Sequence, residues 1–299
     1  MPEVSEFIDD SRTRHSYSAN SIHALQYDLS RFKAFLEAKC DILPGCADLT
    51  TSHFTKFLLN EYEQGCSPAT IKRRQSSLRA FCRYKQGSCP DWTVDPRGIS
   101  LLPDDPGQAP LHPLPAIAAE EILALRKVLE SSKSRHALRD SAIVATIFES
   151  GLSVTDLITL DIQDIDLPGG YLLVRRTYGR IFRLNLSEAR RPLQRYLEAG
   201  RPEFNPPPWE PALFLSQGGS RLSRQALWQS LKRWGAAAGL KGPISPRLLR
   251  QAAARNMRDK GHSSKQIQLS LGHTSLLSTL ALIERLVSVR YPPLDEVNP

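Results

Sequence analysis

Apolar residues recur at every third or fourth position over long stretches of this chain, a spacing that predicts helices. Between residues 17 and 36 the stripe is Ile22, Leu25, Leu29, Phe32 and Leu36. From about Ser52 to Tyr62 it is Phe54, Leu58 and Tyr62. A third helix opens at Ser67-Pro68, a capping residue followed by proline at the first helical position, and continues through IKRRQSSLRAFCRYK. Helical patterning resumes at Ala118 with EEILALRKVLE and occupies most of 222–287. The stretches YLLVRR at 171–176 and IFRLNL at 181–186 predict two strands, and the TYG turn between them predicts a hairpin.

Residues 86–115 break the helical period. They carry Pro90, Pro96, Pro103, Pro106, Pro110 and Pro113 and the run PDDPG. Proline fixes φ and removes a donor, so an extended, exposed linker is expected here. NPPPWEP at 205–211 reads as a surface loop, and the prolines of VRYPPLDEVNP stop the last helix. A length of 299 residues suits two domains. The expected division is a helical domain over 1–88, a linker over 89–115, and a mainly α domain with a small antiparallel sheet over 116–299. Leu286, Val287, Val289 and Leu294 flank the last Pro-Pro break with no obvious local core, which suits a C-terminal contact arm.

Charge adds a partner to this picture. Lys and Arg outnumber Asp and Glu by 39 to 31, a net +8, which favours an anionic partner such as nucleic acid. The five cysteines, Cys40, Cys46, Cys66, Cys82 and Cys89, show no zinc-ligand spacing. They read as free thiols in a reducing cytoplasm, and no metal or other cofactor is expected. No apolar run approaches the ~20 residues of a membrane span. The acidic start MPEVSEFIDD is unlike a signal peptide. A soluble, cytoplasmic protein is expected, associated with the nucleoid and not with a membrane.

Three places carry candidate chemistry. On the third helix Lys72, Arg79 and Arg83 are spaced by seven and four, so they share one side, with Arg73 beside them. Such a face is either solvated or laid against phosphates. ISPRLLRQAAARNMRDKG has Ser245 to cap, Pro246 for the first turn and Gly261 to stop the helix. Its Arg247, Arg250, Arg255, Arg258 and Lys260 oppose a single acid, Asp259. Arginine forks match phosphate oxygens, and Arg247 and Arg250 sit near the helix N-terminus, where the dipole also favours an anion. His273 follows a helix stop at Gly272, a place for either a structural histidine or a phosphate donor.

Taken together and in order, these segments resemble the tyrosine recombinase (phage integrase) family, in its Xer-like branch. GLSVTDLITLDIQDID resembles the stretch in which Gly-Leu-Arg-x-x-Glu opens the catalytic domain. SPRLLRQAA resembles Pro-His-x-Leu-Arg-His, and LGHTSLLST resembles Leu-Gly-His-Ser-x-x-x-Thr. SANSIHALQYDLSRFKAFL and SPATIKRRQSSLRAF are similar to the family's core-binding domain. The resemblance implies an N-terminal helical, SAM-like core-binding domain and a C-terminal domain of the recombinase catalytic fold, closing on double-stranded DNA. It also implies a chemistry: a tyrosine attacks the scissile phosphate, two arginines clamp it, a hairpin lysine protonates the leaving hydroxyl, and two His-type groups donate or move protons.

The chain departs from that pattern. The first arginine position falls on Ser153, and no Lys or Arg occurs between Asp140 and Val174. The hairpin lysine falls near Arg176 or Thr177, and the first His position is Arg247. Arg250 and His273 are retained. The nucleophile position falls on Leu282, and no tyrosine occurs between Leu197 and Arg290. The expected DNA contacts are Lys72, Arg73, Arg79, Arg83, Arg176, Arg247, Arg250 and His273. Two functions follow. The first is a non-catalytic, sequence-specific DNA-binding protein of recombinase ancestry: a transcriptional regulator, an architectural factor or an accessory partner of an active recombinase. The second is a divergent enzyme of DNA integration or excision, with Tyr291 or a partner chain supplying the nucleophile. In both, self-association on DNA through the C-terminal tail, or association with an active recombinase partner, is expected.

Overall fold

A computed structural model describes residues 2–13, 17, 19–39, 49–101, 117–176, 181–273 and 275–287. The chain divides into two compact units, Met1–Pro110 and Leu111–Pro299. Cys40, Cys46, Thr177, Tyr291, Val289 and Leu294 lie outside the described residues. Cys66, Cys82 and Cys89 form no disulfide among the described residues. No helix among the described residues is long and apolar enough to cross a membrane.

The first unit holds α1 (Pro2–Thr13), α2 (Ala19–Lys39), α3 (Thr51–Glu63) and α4 (Pro68–Ser88). Its core is aromatic: Phe32 stacks on Phe54 at 4.7 Å and meets Phe57 edge-on at 5.3 Å. The Ser67 hydroxyl accepts from Thr70 N at 3.3 Å and starts α4 as its sequence predicts. α1 was not marked by the periodicity. It docks through Phe7, 5.7 Å from Phe81 and 5.3 Å from Tyr84 between ring centroids.

The expected linker boundary at residue 89 requires correction. Trp92, Val94 and Ile99 are buried in the same core, with Trp92 edge-on to Phe54 and Phe81. Gln86 Nε2 donates to Val94 O, and Leu101 N donates to the side chain of Gln75. Three large apolar side chains spaced among the prolines outweigh the exposure that the prolines suggest; burial of each is worth ~1.5–3 kcal/mol. Residues 102–116 lie outside the described ones.

The second unit holds α5 (Ala119–Ser131), α6 (Arg135–Ser150), α7 (Val154–Ile158), α8 (Arg190–Arg195), α9 (Arg224–Ala237), α10 (Pro246–Asp259), α11 (Ser264–Leu271) and α12 (Leu276–Val287). α6 is the central helix, with Ala137, Ala142, Ile143, Val144 and Ile147 buried. Three antiparallel strands, β1 (Ile165–Asp166), β2 (Tyr171–Arg175) and β3 (Ile181–Asn185), pair in that order. The predicted hairpin is β2–β3, in register at Leu172↔Leu184; β1 is too short to show a period. A smaller apolar cluster joins α10, α11 and α12 through Ala253, Ala254, Met257, Ile267, Leu271 and Leu286. Leu286 therefore has a local core, which corrects its place among the unsupported tail residues.

Candidate nucleic-acid interface

α10 is built to present its first turn. The Ser245 hydroxyl accepts from Leu248 N at 3.3 Å, and Pro246 fits the first helical position. Leu249 and Ala253 turn inward, which leaves Arg247 exposed and Arg250 half-buried. Arg250 is fixed at both ends of its fork: Nη1 donates to Gly151 O at 3.0 Å and Nη2 to Leu271 O at 2.6 Å. It thus ties the α6 end to the α11 end. Gly151 must be glycine there, since its φ is +66° and a Cβ would lie 2.8 Å from Leu271 Cδ2.

Arg247, Arg250, Gln251 and His273 line a cleft of about 290 Å³, closed from the other side by Ser278, Ala281, Leu282 and Arg285 of α12. Gly272, at φ +69°, ends α11 and releases His273 into it. His273 Nδ1 lies 2.9 Å from Thr279 Oγ1, and its backbone N donates to Gln268 O. Burial pushes the imidazole below its ordinary value, and the nearby Arg250 and Arg176 push it further. A neutral ring is favoured unless an anion enters. Four of the sequence positions, Arg247, Arg250, His273 and Leu282, are brought together here. Gln251 and Arg285 went unmarked, although 247 to 251 and 282 to 285 are each about one helical turn.

Two other positions have different work. The Ser153 hydroxyl accepts from Asp156 N at 3.1 Å and caps α7, so it is engaged locally. Arg176 is turned inward, with a side chain 9 % exposed. It donates to Leu269 O at 2.5 Å and Ser270 O at 2.6 Å, pairs with Asp156 at 3.4 Å, and lies over the Phe182 ring. A Cβ on Gly272 would meet its guanidinium at 2.6 Å. The expectation that Arg176 contacts DNA is therefore corrected: it clamps the hairpin to the end of α11.

On α4, Lys72 and Arg83 are exposed as the periodicity predicts. Arg73, although exposed, pairs with the buried Asp28 at 2.5 Å. Arg79 is half-buried and donates to Ile99 O at 2.9 Å, holding the folded-back segment. Only Lys72 and Arg83 keep the role of outward cations; Arg73 and Arg79 help to hold their own unit together.

The chain belongs to the phage integrase family, which residues 116–282 match, while residues 4–87 match the phage integrase N-terminal SAM-like domain. A putative tyrosine recombinase of Caldanaerobacter subterraneus subsp. tengcongensis is 28% identical over 275 residues, 90% of this chain and 89% of that protein. Tyrosine recombinase XerD of Listeria monocytogenes serovar 1/2a is 28% identical over 287 residues, 92% of this chain and 91% of its own. Among solved structures, XerH site-specific recombinase bound to palindromic difH substrate, a post-cleavage complex, gives a TM-score of 0.73 at 19% identity, covering 94% of this chain and 81% of that one. A lambda integrase dimer bound to a COC' core site gives 0.68 at 18% identity, covering 99% and 80%. The structural likeness establishes the fold, a helical SAM-like domain with a recombinase-type catalytic fold.

Proposed function

We propose that this chain binds double-stranded DNA in the manner of its family and holds the duplex without cutting it. The observation that carries the proposal is Leu282. It lines the cleft beside Arg247, Arg250 and His273, and it offers a hydrocarbon where the family's chemistry needs an oxygen nucleophile. The local roles of Ser153 and Arg176 support the same reading. One is a cap with no charge to clamp a phosphate, and the other is a permanently charged fork already held by carbonyls, poorly suited to give up a proton. Arg247, where the family has histidine, adds fixed positive charge suited to holding a phosphate. Regulator, architectural factor and accessory partner of an active recombinase are all consistent with this site.

The relatives favour a second reading. They are named as recombinases and align with this chain over about nine-tenths of both lengths. A divergent enzyme of that kind takes its nucleophile from Tyr291 or from a partner chain. A supercoiled plasmid carrying a bound site separates the two. After incubation and removal of protein, the plasmid is expected to remain supercoiled; relaxed or rearranged products would establish the enzyme.

A further inference from the structure

We infer that Arg176 is a positioning residue for phosphate binding: it caps the last carbonyls of α11 from the hairpin, and so turns a helix end that repels anions into the support on which His273 meets a phosphate. The inference rests on the proposed DNA binding and adds to it a residue that acts through another.

The end of α11 is the wrong sign for its neighbour. A helix C-terminus leaves its last carbonyls without partners in the helix and carries roughly −0.5 of an elementary charge. α11 stops at Leu271, and His273 follows directly after Gly272. Left bare, that end would repel the phosphate which His273 is placed to meet. Two arginines cover it. Arg176 donates to Leu269 O and Ser270 O, and Arg250 of α10 donates to Leu271 O. Three successive carbonyls are thus held by two full positive charges. Asp156, 3.4 Å from Arg176, offsets one of them, and the end of the helix still comes out positive.

Arg176 does this without reaching the ligand. Its side chain is 9 % exposed, and both terminal nitrogens are bound to carbonyls. Its guanidinium lies against Gly272, where a Cβ would come within 2.6 Å of Cζ. It therefore fixes the turn that carries His273. The ring is held from the other side, with Nδ1 2.9 Å from Thr279 Oγ1, and Gln268 Nε2 donates to His273 O at 3.1 Å. Nε2 is the ring atom left to face a phosphate. Arg250 and Arg176 bear on the ring, Arg247 and Arg285 line the same cleft, and no carboxylate is among the described lining residues.

The source of the charge is the hairpin. Ser153 brings none, because its hydroxyl caps α7 through Asp156 N. The carboxylate of Asp156 takes its cation from Arg176 instead. α7, the hairpin and the end of α11 are joined through that one guanidinium.

The test uses the full chain, a short mixed-sequence duplex and isotope-labelled histidine, with the His273 signals assigned by their loss in His273→Ala. On addition of duplex, the His273 ring-nitrogen signals of the unmodified chain are expected to shift. Arg176→Met is expected to weaken binding roughly tenfold. It should also raise the His273 pKa towards the ordinary histidine value, because a neighbouring positive charge is gone. Adding Arg176→Met to His273→Ala is expected to weaken binding by no more than about twofold beyond His273→Ala alone, since one residue acts through the other. Arg176→Lys keeps the charge and is expected to recover most of the affinity. Losses that multiply in the double variant, an unchanged His273 titration in Arg176→Met, or Arg176→Lys binding no better than Arg176→Met overturns the inference. So does an unmoved His273 signal in the duplex-bound unmodified chain, a result that needs no Arg176 variant to fold. An unmodified chain that binds no duplex removes the DNA-binding reading itself.

Discussion

His273 illustrates how one side chain reports on the cleft. Its pKa lies below the ordinary histidine value of about 6.5, through burial first and then Arg250 and Arg176. The unfolded chain, with its ordinary histidine, therefore takes up a proton before the folded one does. Stability is fully present above pH about 6.5 and is lost as pH falls below it, until the folded ring also protonates. His136 is depressed as well, by burial and by Arg139 beside it, and adds a loss of the same sign. Urea midpoints measured from pH 7.5 to 5 should fall, and His273→Gln should flatten part of that fall. An unchanged profile in the variant would place the ring in ordinary solvent. The arginines teach a related lesson. Arg79, Arg176 and Arg250 all appeared in sequence as outward phosphate contacts, and each is engaged with backbone carbonyls. Residue type and period locate a cation on a helix face; they do not show which carbonyl lies within reach of its fork. Arg250→Ala therefore removes two structural hydrogen bonds as well as a charge, each worth ~1.5–3 kcal/mol, and its DNA-binding defect must be read against its stability.

At the scale of elements, what was legible follows from physics that acts locally. α2, α3, α4 and α10 were marked by apolar stripes and, for α4 and α10, by Ser-Pro starts; the structure places them within two or three residues. The β2–β3 hairpin is marked by two short strand-like stretches, YLLVRR and IFRLNL, with the TYG turn between them. The segment 89–101 was not, because Trp92, Val94 and Ile99 follow no helix or strand period, and their burial depends on a groove that other elements build. α12 is the least settled element in chemical terms. Leu277 is 76 % exposed, with Leu276 and Leu280 exposed beside it, although Leu286 is buried. With the tail expected to act as a contact arm, a chain truncated after Val287 keeps the Leu286 cluster and loses the arm. It is expected to bind a single DNA site normally and to lose cooperative filling of two adjacent sites, which footprinting measures. Retained cooperativity would dispose of the arm.

For the whole molecule, the sequence-based order of motifs identified the family, and both units match it. The cleft adds what the motifs alone did not: Leu282 faces Arg247, Arg250 and His273 across a space lined by a further cation, Arg285. Catalysis of strand transfer needs groups that act as a unit, so the losses do not simply add. A missing electrostatic donor alone costs about two to three orders of magnitude in rate, and a missing general acid costs roughly a hundredfold or more. Leu282→Tyr should accordingly leave the chain inactive, because Ser153 and the inward Arg176 remain. The most direct test of holding without cutting is a covalent trap. Nicked duplexes prepared from the protein's own bound sites are incubated with the full chain and resolved on a denaturing gel. Bound DNA without a covalent protein–DNA adduct is the expected result. An adduct that forms with this chain and disappears in Tyr291→Phe would contradict it and make the protein a divergent recombinase.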